Sequence, residues 1–156
     1  MADRLVTTMA CVLVLASGVP ALAQGPCAVL TAQGPTLAGF AGAKTDTAAS
    51  GDRTVCEMWS SDRTARLSLI VEPPQAARGL AMRKVLTANA QEPGMTVRDE
   101  PTLGVGAFSF ASRQQASVIA AGKGGLYTLA LNRDAGIAVP DADRLRAIAR
   151  QLVDGR

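Results

Sequence analysis

Apolar residues recur with a helical period near the carboxyl end of the chain. They stand three or four residues apart, so they share one face of a helix. We expect Asp141 to cap the start of this helix and Gly155 to follow its end. The apolar positions are Leu145, Ile148, Ala149, Leu152 and Val153.

Polar and apolar residues alternate in the middle of the chain, which is typical of strands with one buried face. Residues 53–60 (RTVCEMWS) place Glu57 and Trp59 on one face and Cys56 on the other. Residues 65–72 (ARLSLIVE) alternate in the same way, and the polar residues between the two segments indicate a turn. The two segments therefore predict a β-hairpin.

The pattern after this hairpin indicates one helix and further strands. Two prolines end the second strand, and the strong helix formers that follow predict a helix with an apolar face. A glycine-rich segment then indicates the turn of a second hairpin. The predicted elements are a helix at 75–90, strands at 95–100 and 107–112, and a hairpin of 116–121 with 126–132.

The region before the first hairpin is less regular. Residues 26–42 indicate a short helix, and we expect its regular part to begin at Pro35, because Gly34 and Pro35 interrupt the pattern. Residues 43–52 are small and polar, which predicts a loop. The order of elements predicts an α+β fold, with a single antiparallel sheet of about five to six strands and about two to three helices packed on it.

The amino terminus has the pattern of a secretory signal peptide. About fifteen mostly apolar residues precede Pro20, and Ala21 and Ala23 supply the small side chains that signal peptidase requires. We expect cleavage between Ala23 and Gln24, which leaves residues 24–156 as a single domain, exported to the periplasm or secreted. A buried helix or an uncleaved anchor is the alternative, but the run is shorter than the roughly twenty residues that span a bilayer.

Two cysteines remain after this cleavage, since Cys11 leaves with the leader. In an exported protein, Cys27 and Cys56 are expected to form a disulfide. The alternative is a reactive thiol, which needs an activating base and a reducing compartment.

Composition excludes several kinds of chemistry. The chain has no histidine, so it cannot form a Ser/His or Cys/His relay or a histidine-ligated zinc or haem site. Its net charge of +3 comes from scattered residues without a basic cluster, which argues against nucleic-acid binding. We expect no cofactor, no metal and no transmembrane segment in the mature chain.

Glu57 and Trp59 are the candidate contacts for a ligand or partner. A sugar or another polar group can stack on the indole ring and bond to the carboxylate, whereas a tryptophan close to a disulfide is more often part of the core. Carboxylate chemistry, in which two acids share the acid and base roles, is the one catalytic route open without histidine. Glu57 and Glu72 lie on neighbouring predicted strands. The adjacent Asp99 and Glu100 are expected to be solvated.

Short motifs resemble a family of small cell-envelope lipoproteins of unknown function that is best known from actinobacteria. They are residues 26–31 (PCAVLT), 56–59 (CEMW), 103–108 (LGVGAF) and 126–129 (LYTL). The resemblance implies a fold similar to the Mog1 and PsbP group, the Cys27 to Cys56 disulfide and an envelope location. The chain departs from the family by having no lipobox and by the Gly34-Pro35 interruption, and the family implies no catalytic residues.

These features favour a non-catalytic exported protein that binds a partner protein in the envelope or a small apolar ligand between its sheet and helices. A secreted protease inhibitor is the second hypothesis, with a rigid loop near residues 43–52 or 91–100. A carboxylate-dependent hydrolase is the third.

Export can be tested by expressing the full chain in a Gram-negative host. We expect periplasmic protein whose first residue is Gln24, measured by amino-terminal sequencing and intact mass. Ala23→Arg should leave the leader attached, because signal peptidase accepts only a small side chain at this position. The control Leu22→Arg adds the same charge between the two recognised positions and should still be cleaved. Retention of unprocessed wild-type chain in the cytoplasm would contradict the prediction.

Overall fold

Seven antiparallel strands form one sheet in the computed structural model, which describes residues 25–74, 76–89 and 94–155. The predicted leader and the cleavage site at Ala23 and Gln24 lie outside these residues. In chain order the strands are β1 (Thr45–Ser50), β2 (Arg53–Trp59), β3 (Ala65–Glu72), β4 (Thr96–Asp99), β5 (Phe108–Ala111), β6 (Gln115–Gly122) and β7 (Gly125–Arg133). Across the sheet their order is β1-β2-β3-β7-β6-β5-β4, so β1 and β4 are its edges.

Within the described residues, three α-helices accompany the sheet: α1 (Pro26–Gln33), α2 (Ala76–Asn89) and α3 (Val139–Asp154). The structure thus confirms the predicted α+β class, the single antiparallel sheet and both predicted hairpins. No helix among the described residues is long and apolar enough to cross a membrane.

The strand count is higher than the predicted five to six, because β1 lies within the segment that we expected to be a loop. Its residues, TDTAAS, are exposed or half-exposed on both faces. An edge strand with no buried face has no alternation of polar and apolar residues to reveal it. The alternation of polar and apolar residues reveals strands with a buried face, so it gives no signal for β1.

The first helix also differs from the prediction. Its regular part precedes Gly34, with Pro26 at the first helical position, and residues Gly34–Thr36 form a short 3-10 turn. Gly34 lies directly against Met58, where an added Cβ would come within 2.6 Å of the sulfur atom. The glycine therefore allows the close approach of this turn to β2.

Asp141 does not cap α3 as predicted. The N-cap is Ala138, which has no side-chain hydrogen bond, and Asp141 lies in the first turn, 3.5 Å from the Arg133 guanidinium. Gly155 follows the helix in the left-handed conformation, as expected.

The main core lies between one face of the sheet and the helices α1 and α3. The central strands β3 and β7 contribute leucines that are paired across the ladder, Leu67 with Leu131 and Leu69 with Leu129. Eight large side chains of this layer are at most 1% exposed. They are Leu30, Phe40, Leu67, Leu69, Leu129, Leu131, Leu145 and Ile148.

The opposite face of the sheet, called the outer face below, is only partly covered. A smaller cluster of Phe108, Ile119 and Leu126 packs there, with Met82 of α2 against it. On β2, by contrast, Val55 and Glu57 are half-buried and Trp59 is exposed. Among the described residues, the outer face of β2 therefore carries no helical cover.

A disulfide joins α1 to the sheet. Cys27 in the first turn of the helix is bonded to Cys56 of β2, with 5.6 Å between their Cα atoms. The predicted pairing is confirmed, and neither cysteine is a free thiol.

Loss of this bond should destabilise the fold without changing it. Closing a loop with a sequence separation of 29 residues stabilises by about 3 to 4 kcal/mol in the chain-entropy model. The double variant Cys27→Ser, Cys56→Ser should lose about this much free energy of unfolding in urea denaturation, followed by the fluorescence of the single tryptophan. Wild-type protein with a reductant should match the variant. An unchanged midpoint after reduction would show that the bond contributes nothing.

Candidate binding surface around Trp59

Trp59 ends β2 on the outer face of the sheet. The alternation predicted for this strand is confirmed, since Cys56 and Met58 are fully buried on the inner face while Trp59 is 36% exposed. The expectation that a tryptophan near the disulfide belongs to the core is therefore wrong. The two residues are three positions apart and so point to opposite faces of the strand.

The turn that follows Trp59 is fixed by a local hydrogen-bond network. Ser60 Oγ donates to a carboxylate oxygen of Asp62 at 2.6 Å and accepts from the amide of Ala65 at 2.9 Å. The same Asp62 oxygen accepts from the amide of Thr64 at 3.1 Å. Side chains and backbone thus stabilise one turn conformation between β2 and β3.

The hydrogen bonds from Ser60 and then Thr64 lower the pKa of Asp62 below its ordinary value. A group whose pKa is lower in the folded than in the unfolded state stabilises the fold above its unfolded pKa. That stabilisation is lost as pH falls through the folded pKa. The contribution of Asp62 to the turn is therefore present at neutral pH and lost in acid.

Arg63 lies in this turn with a φ of 58°, the only described residue other than glycine with a positive φ. The left-handed conformation costs a residue with a Cβ roughly 1 kcal/mol or more. The turn holds the residue there nonetheless, with the Arg63 amide donating to the Ser60 carbonyl at 3.0 Å. This conformation places the Arg63 guanidinium 6.0 Å from the centre of the Trp59 ring.

A second guanidinium contacts the same ring. Arg66 of β3 is directly opposite Trp59 in the ladder, and its guanidinium lies 5.5 Å from the ring centre. Each cation–π contact at an exposed site contributes about 0.5 to 1 kcal/mol. The two arginines therefore restrain the indole ring.

Glu57 lies on the same face and completes this surface. Its carboxylate is 3.5 Å from Arg66, and both side chains are partly exposed. Arg66 thus links the two residues that the sequence marks as candidate contacts. We call the group of Glu57, Trp59, Arg63 and Arg66 the Trp59 surface. The sequence pattern alone could not assign the two arginines, because their role depends on strand register and turn conformation.

Glu72, the acid on the strand next to Glu57, is used in a structural ion pair. Glu72 is buried and lies 2.7 Å from Arg53. Glu57 is opposite Ser68, four residues along β3 from Glu72, which separates the two acids by about 13 Å along the strand. This distance exceeds the roughly 5 to 10 Å of a paired-carboxylate hydrolase.

Glu100 corrects a second expectation, since it is buried where we predicted a solvated residue. It accepts hydrogen bonds from Ser109 at 2.6 Å and from Arg146 at 2.8 Å. Asp99 beside it is exposed and pairs with Arg83 of α2. The partners of Glu100 are distant in sequence, so its burial has no local signal.

No cluster of three or more potential metal ligands exists in the described part of the chain. An open cleft of about 250 Å³ lies between β4, β5 and the start of α3, with Arg98 and Ala111 on one wall and Val139 and Ala142 on the other. Arg146 in this cleft is already paired with Glu100 and Asp143. The Trp59 surface is therefore the better candidate for recognition.

Replacement of Arg63 separates its conformational cost from its contact with the ring. Arg63→Gly should raise the free energy of unfolding by up to about 1 kcal/mol, because glycine adopts a positive φ without penalty. It should also increase quenching of Trp59 fluorescence by acrylamide, because one guanidinium no longer covers the ring.

The matched variant Arg63→Ala keeps the conformational cost and removes the same guanidinium. It should increase quenching to the same extent without any gain in stability. Equal stability of the two variants in urea denaturation would disprove the conformational part of the prediction, and unchanged quenching would disprove the contact.

Comparisons of the chain with protein-family models, with curated proteins and with solved structures find no match. The functional proposal therefore rests on the fold and on the contacts within the Trp59 surface.

Proposed function

We propose that this protein is a non-catalytic exported protein that binds a partner protein through the Trp59 surface. The observation that carries the proposal is an exposed tryptophan whose ring is contacted by two guanidinium groups, one of them from a residue with an unfavourable φ. Backbone strain of this kind often accompanies functional surfaces. Tryptophan and arginine are also the residue types that most often dominate the binding energy of protein interfaces.

The shape of the surface favours a protein over a small ligand. Small-molecule sites are concave, whereas Trp59 lies on the open face of a sheet strand. The other part of our hypothesis, an apolar ligand between sheet and helices, has less support because that layer is filled by fully buried leucines. A partner protein can cover the indole ring and the neighbouring half-buried Val55 together.

The charges indicate what the partner presents. Arg63 has no ion pair among the described residues, and the single ion pair of Arg66 is a long one to Glu57. Both guanidinium groups can therefore still donate paired hydrogen bonds to a carboxylate of the partner. We infer a partner with one or more acidic side chains beside an apolar one, the first for the arginines and the second for the indole.

Export and the family resemblance are part of the same proposal. A disulfide between Cys27 and Cys56 persists best in an oxidising compartment, which supports a periplasmic or secreted location. We also propose a relation to the actinobacterial envelope-lipoprotein family and a fold of the Mog1 and PsbP type, because that resemblance implies both an α+β fold and the Cys27 to Cys56 bond. The protease-inhibitor alternative has less support, because one of its two candidate loops is strand β1.

Binding through the Trp59 surface can be tested by quantitative capture from solubilised native envelope. Proteins bound to the wild type and to the variants Trp59→Ala and Arg66→Glu are measured by mass spectrometry. The control is Arg150→Glu, which makes the same charge reversal on the exposed face of α3. We expect one protein that wild type and control retain equally. Each of the two surface variants should bind that protein about 30-fold more weakly than the wild type does, which is the effect of removing a strong interface residue.

The captured protein is then purified and titrated against the fluorescence of Trp59, the only tryptophan in the sequence. Binding should shift the emission to shorter wavelength, because the ring loses contact with water. A partner retained by both surface variants would place the interface elsewhere and refute the proposal. So would a partner whose binding leaves the Trp59 emission unchanged.

A further inference from the structure

The two edges of the sheet are protected very differently. Strand β4 has four residues, carries Arg98 and Asp99, and is tied to α2 by the Asp99 to Arg83 ion pair. Strand β1 has six residues and a single charge, Asp46. It contains no proline, and its register with β2 is uninterrupted from Thr45 to Ser50. It therefore lacks the short length, charges, proline or bulge that normally prevent an edge from pairing.

The hairpin turn determines which backbone groups of β1 are free. Ser50 pairs with Arg53 across the two-residue turn of Gly51 and Asp52, and Gly51 has a φ of 63°. In such a hairpin the closing pair exchanges two hydrogen bonds, and the bonded positions then alternate along the strand. Ala48 and Asp46 therefore also bond to β2.

The intervening positions direct their N–H and C=O groups away from β2, in the plane of the sheet and toward its open edge. These are Thr45, Thr47 and Ala49. Their side chains are small, and those of Thr47 and Ala49 are exposed. A second strand can thus approach Thr47 and Ala49 without displacing a bulky group, while the Thr45 hydroxyl accepts from Thr31 of α1 at 2.8 Å.

We propose that β1 pairs antiparallel with β1 of a second copy, about a two-fold axis at Thr47. In this register Thr47 faces Thr47 of the second copy, and Thr45 faces Ala49. All three outward residues then find partners, with about six main-chain hydrogen bonds across the junction. The two seven-stranded sheets become one continuous sheet.

The occupant is a second copy because the edge is complementary to itself. Pairing at Thr47 sets Asp46 opposite Ala48 of the other chain, so the two carboxylates do not face each other. Each copy bonds to the backbone groups that have no partner within the described strands of the other, in the closed two-fold arrangement that is commonest among oligomers. This proposal uses a different surface from the Trp59 surface and does not depend on it.

The test is sedimentation velocity of the exported protein from about 1 μM to about 1 mM, a range that covers weak to moderate dimers. We expect a concentration-dependent dimer in the wild type. Thr47→Pro removes one outward N–H that β2 does not use, and edge positions of this kind accept proline. Thr47→Lys keeps the backbone and places two like charges at the axis. Each should weaken the dimer at least about 100-fold.

Thr96→Lys is the matched control, the same substitution on the exposed edge strand β4. It should leave the dimer unchanged. Far-ultraviolet circular dichroism and Trp59 emission verify folding, and Thr47→Lys decides the outcome if the proline variant does not fold. A monomeric wild type at every concentration overturns the proposal. A dimer that survives Thr47→Lys, or that is lost equally in Thr96→Lys, overturns it as well.

Discussion

Burial of one face of the sheet under α1 and α3 is the constraint on which the rest of the structure depends. The leucines of β3 and β7 are fully buried there, and their removal from water supplies the main driving force for the fold. On the outer face, α2 packs over the cluster of Phe108, Ile119 and Leu126. Because α1 and α3 cover the inner face and α2 covers another part of the outer face, Trp59 at the end of β2 is exposed.

Polar residues attach α3 to the sheet at two points. Glu100 accepts hydrogen bonds from Arg146 of the helix and from Ser109 of β5. At the start of the helix, Asp141 lies against Arg133 of β7, which also donates to the Ala38 carbonyl. Buried charges are tolerated only when they are paired in this way. These acids therefore have a structural role.

Much of the fold could be predicted from the sequence, because periodic burial leaves a periodic pattern. The faces of β2 and the apolar face of α3 follow directly from positions such as Met58 and Leu145. Strand β1 left no such pattern, since neither of its faces is buried. The start of α1 was misplaced because the reason for Gly34 is its contact with Met58, a residue distant in sequence.

The candidate site was only half predictable for the same physical reason. Glu57 and Trp59 share a face by simple alternation, which the sequence reveals. Arg66 joins them through strand register, and Arg63 joins them through a turn whose conformation depends on Ser60 and Asp62. Contacts that arise from register and turn geometry have no periodic signature, so they become visible only in three dimensions.

The two proposed surfaces are related by the geometry of the sheet. A two-fold axis perpendicular to the sheet at Thr47 keeps each face on its own side, so both Trp59 surfaces of the dimer point in the same direction. Trp59 lies on β2, one strand inward from the edge, and is opposite residue 44, three residues along the chain from the axis at Thr47. With ordinary strand spacing and rise, the two tryptophans are roughly 25 Å apart. A dimer can therefore engage a repeated or two-fold symmetric partner at both sites. Such bivalent contact raises the effective affinity of a small surface whose single contacts are individually weak.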